Sequence, residues 1–149
     1  MNLQLKQYQD EKVEELKNKV NELLELDGSK LCIFEAPTGS GKTIMVGEFL
    51  KRLVNPLDRE DGKQFSFIWI SVRDLHDQSK KSLEHNFENV FRYSYFEDLQ
   101  NNIIGKNEIL FLNWEKIYNK DRVYIRDNEK GKNLSNIVNR VSFGKEPII

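Results

Sequence analysis

Ala36-Pro37-Thr38-Gly39-Ser40-Gly41-Lys42-Thr43 is the stretch that decides the fold of this chain. It follows an apolar run, Leu31–Phe34, that is typical of a buried parallel strand. Glycines here let successive backbone N–H groups turn toward a polyphosphate, Lys42 can reach the β- and γ-phosphates, and the Thr43 hydroxyl can ligate Mg²⁺. An apolar helix face comes next, made of Ile44, Met45, Val46, Phe49, Leu50 and Leu53. The pattern predicts a phosphate-binding loop that opens a helix, whose positive N-terminal end adds to the attraction.

The usual pattern for such a loop has glycine at its first position, where this chain has Ala36. Strand, loop and helix nevertheless come in the required order. The alternative is an ordinary glycine-rich turn between a strand and a helix, but that turn needs neither Lys42 nor Thr43. The context therefore favours the phosphate-binding loop.

Length and charge limit the range of functions. A chain of 149 residues fits one domain with one substantial core. Its 23 Lys and Arg against 24 Asp and Glu give a net charge of −1, so any nucleic-acid binding has to come from a local patch. No stretch approaches the roughly 18 apolar residues of a membrane span, and the first residues do not read as a secretory signal. Cytoplasm is the expected location, with no membrane partner.

The residues most often found in metal or redox sites are few and scattered. The single cysteine, Cys32, lies in the predicted strand and is expected in the core. His76 and His85 are nine positions apart without a neighbouring metal ligand, and both are expected on the surface of a helix. No resident metal centre built from these residues is predicted.

The remaining segments alternate between helical and strand-like patterns. Predicted helices run over about Gln7–Leu26 and Asp74–Asn89, with a short one around Leu134, Ile137, Val138 and Val141. Predicted strands are Phe65–Ser71, Val90–Phe96 and Ile109–Leu112, and Pro147–Ile149 begins another. This alternation predicts an α/β fold with a mostly parallel sheet covered by helices on both faces.

With these motifs the chain resembles the N-terminal motor domain of superfamily 2 DEAD/DEAH-type helicases, specifically the restriction (Res) subunit of type III restriction enzymes. In that family alanine is usual at the first loop position, as at Ala36. The resemblance implies a RecA-like domain that binds ATP with Mg²⁺. It assigns the nucleotide to Thr38, Gly39, Ser40, Gly41, Lys42 and Thr43, with Lys42 and Thr43 in catalytic roles and Thr43 on the metal.

A second motif of the family precedes the loop. Leu5-Lys6-Gln7-Tyr8-Gln9 resembles the adenine-recognition motif, in which a glutamine amide reads the adenine edge, and Gln9 matches that glutamine. An amide carries a donor and an acceptor side by side, which suits the exocyclic amine and ring nitrogen of adenine. The alternative is a set of polar residues at the start of a solvated helix.

Two further segments resemble strand-tracking motifs of the family. In Ser71–Gln78 the residues Arg73 and Gln78 match a motif that touches the nucleic-acid backbone, although Val72 stands where threonine is usual. After the strand Ile109–Leu112, Asn113 and Trp114 are expected to contact a backbone or stack a base. The alternatives are a solvated helix start for the first segment and a tryptophan that caps the core for the second.

The carboxylate that such a site needs for Mg²⁺ is not found in the sequence. Asp98 and Asp127 follow runs broken by charged or polar residues and resemble strand ends entering turns. The resemblance places the Asp-Glu-x-His motif just after Ile149, so residues 1–149 are expected to be a partial RecA-like domain. Within it, 1–28 form the region of the adenine motif and 29–149 a loop core that lacks Walker B. Alone it is expected to be inactive.

The resemblance therefore predicts part of an ATP-driven DNA helicase or translocase whose parent protein hydrolyses ATP and works with DNA, and which has a modification methyltransferase subunit as a possible partner. Two alternatives stay open. One is another nucleotide hydrolase or a kinase, which would need its acceptor-binding machinery within these residues. The other is a regulatory domain that binds nucleotide without turnover.

Overall fold

A computed structural model describes residues 3–58, 63–118 and 137–138 of the chain. The helices are α1 (Gln7–Leu24), α2 (Lys42–Leu53), α3 (Leu75–Asn86) and α4 (Trp114–Tyr118). The strands are β1 (Phe67–Ser71), β2 (Arg92–Tyr95) and β3 (Glu108–Asn113). Short 3-10 turns lie at Pro56–Asp58, Phe96–Asp98 and Gln100–Asn102.

The three strands form a parallel sheet in the order β1-β3-β2. β3 is central: Phe67 of β1 is in register with Ile109, and Arg92 of β2 is in register with Glu108. All six residues of β3 are buried. A continuous apolar run such as Ile109–Leu112 is what a parallel strand needs when both of its faces are covered.

Alternate residues of β3 supply two separate cores, one on each face of the sheet. Ile109 and Phe111 pack in a cluster with residues of α1, α2 and α3, among them Val13 and Phe49. Leu110 and Leu112 point to the other face and pack with Phe96, Leu99, Ile104 and Ile137. The predicted fold class is confirmed: helices surround a small parallel sheet, as in a partial RecA-like α/β domain.

The predicted elements that lie within the described residues are confirmed with shifts of a few residues at their ends, with one exception. The buried strand expected over Leu31–Phe34 is wrong: the segment pairs with none of the described strands, and Leu31 and Ile33 are 82% and 75% exposed. A parallel strand becomes buried only when a neighbour satisfies its backbone, and β1 lies at the sheet edge with β3 as its neighbour. Cys32 is therefore exposed and is not the core residue that its apolar neighbours predicted.

The two histidines differ in solvent exposure. His85 is exposed, as predicted, but the surface location predicted for His76 is wrong, since His76 is 7% exposed. His76 lies on the inner side of the first turn of α3, with its ring edge-on to Tyr95. The helical repeat predicted the helix but not which polar residue faces the sheet. Most of the predicted helix around Leu134–Val141, and all of Pro147–Ile149, lie outside the described residues.

Candidate nucleotide-binding site

The loop ahead of α2 has the backbone shape that the sequence predicts for a phosphate-binding loop. Gly39 and Gly41 have φ values of +80° and +85°, in the left-handed region where a side chain is strained. Gly41 is the N-cap of α2, and no side chain caps the helix. The amide groups of the first turn of α2 are therefore left for a ligand or water, at the end of the helix that attracts anions.

Lys42 lies across this loop. Its Nζ donates to the carbonyl oxygens of Ala36 and Pro37 at 2.8 and 2.9 Å, although the side chain itself is exposed. An ammonium group has three donors, and two of them connect Lys42, at the end of the loop, to Ala36 and Pro37, at its start.

The adenine motif lies against the same loop. Gln9 Oε1 accepts from the Lys6 backbone N–H, and Gln9 Nε2 donates to the Ser40 carbonyl, each at 2.9 Å. The Tyr8 hydroxyl donates to the same Ser40 oxygen at 3.1 Å. A Cβ on Gly41 would come within 2.8 Å of Gln9 Nε2, so glycine there lets the amide approach the loop. The structure thus brings together two motifs that are about 30 residues apart in sequence.

An ionic cluster holds α1, which carries Gln9, against α2. Arg52 on α2 forms ion pairs with Asp10 and Glu14 on α1 and with Glu48 on its own helix. Burial lowers the pKa of Arg52, but its hydrogen bonds to Asp10 and Glu48 outweigh that effect and the net pKa is raised. Sequence reasoning missed this cluster, because its members are spread over two helices and no motif marks them.

These residues fit a nucleotide polyphosphate with its metal only in part. Thr43, half-buried in the first turn of α2, is the residue that would hold Mg²⁺ beside the phosphates, and Ser40 Oγ is buried without a hydrogen-bond partner among the described residues. In the same residues, no group of three or more His, Cys, Asp and Glu side chains could hold a metal ion. The loop has the backbone shape that a phosphate-binding loop needs, and both its role and the predicted absence of a carboxylate partner stay predictions.

A second group of predicted residues meets at the carboxyl ends of β1 and β3. Ser71 of β1 is in register with Asn113 of β3, so the loops that follow both strands come together. Asn113 Nδ2 donates to the Arg73 carbonyl at 2.7 Å. The Glu115 carboxylate accepts the Arg73 backbone N–H through both oxygens, at 2.9 and 3.0 Å. Hydrogen bonding from the Arg73 backbone, and then from its own, lowers the pKa of Glu115.

The residues predicted to contact nucleic acid differ in solvent exposure. Arg73, Gln78 and Trp114 are exposed. Asn113 is 8% exposed, and its Oδ1 accepts the Lys116 backbone N–H while its amide nitrogen is bonded to Arg73. Glu115 was not predicted, since an acidic residue after a strand carries no signal of its own.

Comparison with known proteins agrees with these observations. The family model described as "Type III restriction enzyme, res subunit" matches residues 2–139. No curated protein and no solved structure matches the chain at a significant level. Among the described helices none is both long and apolar enough to span a bilayer. This family implies an ATP-dependent, helicase-like motor domain. The chain belongs to the family of the type III restriction enzyme res subunit.

Proposed function

We propose that this chain is the ATP-binding part of the first motor domain of a DNA translocase or helicase, the restriction subunit of a type III restriction-modification system. The observation that carries the proposal is the meeting of Tyr8 and Gln9 with the Ser40 carbonyl in a glycine-rich loop at the start of α2. A glycine-rich turn between other elements would have no reason to receive a glutamine amide from a helix start far away in sequence.

The proposed nucleotide contacts follow from the hydrogen-bonding capacity that remains. The Gln9 amide uses one of its two N–H donors on Ser40 and one acceptor position of Oε1 on Lys6. A donor and an acceptor remain for the edge of an adenine. The residues from Thr38 to Thr43 would hold the phosphates, with the Lys42 ammonium on the terminal ones and the Thr43 hydroxyl on Mg²⁺. The metal, when bound, neutralises charge on the phosphates.

The proposed nucleic-acid contacts lie at the carboxyl ends of β1 and β3. Arg73 and Gln78 flank the start of α3, where backbone amides and a cation together suit a phosphate of DNA. Trp114 presents an exposed ring for stacking. ATP hydrolysis, cytoplasmic location and a methyltransferase subunit as partner belong to the proposal for the parent protein. For the 149-residue chain alone we expect no ATPase activity above background, because the predicted carboxylate partner of Mg²⁺ has not been found in it.

Nucleotide titration of the purified chain tests the proposal. Lys42→Ala should weaken ATP binding about tenfold or more, because a charged hydrogen-bond donor to a phosphate contributes about 1.5–3 kcal/mol. The matched control is Lys81→Ala, which removes an exposed lysine on α3 away from the loop. Gln9→Ala should reduce the preference for ATP over GTP while both nucleotides still bind.

Circular dichroism of each variant separates loss of binding from loss of fold, since Lys42 also bonds to the loop backbone. Equal ATP affinity in the wild type and in Lys42→Ala would contradict the assignment of the loop. An unchanged nucleotide preference in Gln9→Ala would contradict the adenine role alone and leave the phosphate role standing.

A further inference from the structure

The backbone of Arg73 is unusual in this structure. Among the described residues, five non-glycine residues have a positive φ, and the other four are asparagines: Asn89, Asn101, Asn102 and Asn107. Asparagine tolerates the left-handed region because its short polar side chain can bond locally. Arg73 has no such advantage at its φ of +52°, and a strained residue of this kind costs about 1–2 kcal/mol. Something around it has to maintain this conformation.

Side chains from three elements, α4, β3 and α3, lie against the peptide groups of Arg73. Both Glu115 oxygens, from α4, take its N–H. Asn113, from the end of β3, donates to its carbonyl, and His76 Nδ1 lies 3.0 Å from that same oxygen. The Asn113 amide is itself fixed by the Lys116 N–H. Arg73 lies in a turn that the Leu75 N–H closes on the Val72 carbonyl at 3.3 Å, and within that turn side chains bond both polar groups of its own backbone.

The Arg73 side chain is left free by this arrangement. It is exposed, and its guanidinium forms no hydrogen bond or ion pair with the described residues. Glu115 is the nearby carboxylate, and both of its oxygens accept the Arg73 backbone N–H, while neither forms a hydrogen bond or ion pair with the guanidinium. The carboxylate therefore orients the residue through its backbone, and the guanidinium charge acts on it only from beyond ion-pair distance, where it helps to lower the pKa of Glu115.

We infer that Glu115, together with Asn113, is a positioning residue that holds Arg73 in the left-handed conformation and so presents its guanidinium to a nucleic-acid phosphate. This inference rests on the proposed DNA contact of Arg73. It gives Asn113 a role through the Arg73 backbone, in place of the direct contact with the nucleic acid that the sequence suggested.

The inference predicts an effect opposite in sign to simple electrostatics. Removing a carboxylate beside a DNA contact normally strengthens binding, because it removes repulsion of the phosphates. If Glu115 positions Arg73, Glu115→Ala weakens binding instead. The effect also has to disappear when the Arg73 side chain is absent, since Glu115 acts only through that residue.

The experiment measures binding of a fluorescent oligo-dT single strand to the 149-residue chain by anisotropy at low salt. Arg73→Ala should weaken binding about fivefold, the upper range for one exposed ion pair. Glu115→Ala should weaken it by a similar factor, and Glu115→Gln, which keeps one acceptor oxygen, by less. In the Arg73→Ala background, Glu115→Ala should have no further weakening effect. Glu88→Ala, which removes an exposed carboxylate after α3, is the matched control and should not weaken binding.

The outcomes test the DNA contact of Arg73 and the positioning role of Glu115 separately. If Arg73→Ala binds the strand as well as the wild type does, the DNA contact in the proposed function is wrong, and the positioning role is overturned with it. If Arg73→Ala weakens binding but Glu115→Ala does not, or weakens it equally in the Arg73→Ala background, the positioning role alone is overturned. Amide chemical shifts of residues 72–74 report independently whether Glu115→Ala changes the turn while the rest of the spectrum is retained.

Discussion

Replacing Gly41 by alanine tests the contact between Gln9 and the phosphate-binding loop, and replacing Gly39 provides a matched control. Both glycines have nearly the same left-handed φ, so both substitutions cost about 1–2 kcal/mol of backbone strain. Their surroundings differ. A Cβ on Gly39 would meet nothing within 4 Å, whereas a Cβ on Gly41 would lie 2.8 Å from Gln9 Nε2.

The difference between the two variants follows from that contact. In Gly41→Ala the amide of Gln9 has to move, and it loses its hydrogen bond to the Ser40 carbonyl, which contributes about 1 kcal/mol. We therefore expect Gly41→Ala to lower the free energy of unfolding by about 1 kcal/mol more than Gly39→Ala does. For a chain of this length that difference corresponds to about 2–4 °C in the melting temperature.

Thermal unfolding followed by circular dichroism measures the effect for each glycine variant, in the wild type and in a Gln9→Ala background. The gap between Gly41→Ala and Gly39→Ala should close in the Gln9→Ala background, because the side chain that meets the new methyl group is gone. Equal melting temperatures in the wild-type background, or a gap that survives in Gln9→Ala, would refute the reasoning from the Gln9 contact.

Two further predictions concern the packing that supports the site. Arg52→Met should lower the melting temperature by about 2–4 °C, because the lost ion pairs contribute about 1 kcal/mol. It should also reduce the preference for ATP over GTP, because these ion pairs hold α1, which carries Gln9, against α2. The control is the neighbouring Lys51→Met, which removes an exposed lysine that pairs with the same Glu48 but does not reach α1. Equal effects of the two substitutions would show that the ion pairs from Arg52 to α1 contribute nothing further. Gly47→Ala should destabilise the chain by about 1–2 kcal/mol despite the helix preference of alanine, because the new Cβ would clash with the Phe87 ring and lie 2.5 Å from Leu83 Cδ2. Urea unfolding checks this, with Lys81→Ala as control, and a more stable Gly47→Ala would mean that α3 moves away at little cost.

The sequence predicted best what depends on local pattern. The apolar repeat of α2, the continuous run of β3 and the glycine spacing of the loop are all read within about a dozen residues, and the structure contains each of them. Gln9 was predicted for a different reason, because its segment resembles a motif of a known family. In the structure its amide donates a hydrogen bond to the Ser40 carbonyl. The shape of the loop and the approach of Gln9 to it were therefore accessible from sequence, while their roles toward a nucleotide stay predictions.

Features that depend on distant neighbours were not accessible. Leu31–Phe34 has the composition of a buried strand, but whether a strand is buried depends on which other strand lies beside it. Glu115 bonds to the strained peptide of Arg73, 42 residues away, and no spacing in the sequence indicates that contact. His76 contacts the same backbone from three residues away, but its burial depends on how α3 packs beside Tyr95. The Arg52 cluster was not predicted for the same reason, because its members lie on two helices.

The central position of β3 has a consequence for the order in which the chain folds. β1 and β2 come first in the sequence, but they do not pair with each other; among the described strands, each has β3 as its partner. As the chain leaves the ribosome, neither strand has its described partner until Asn113 has been synthesised. The helices can form earlier, because their hydrogen bonds are local. The three-stranded sheet can therefore form only after β3 has been made, and until then Phe67 and Phe91 lack the face of β3 against which they pack.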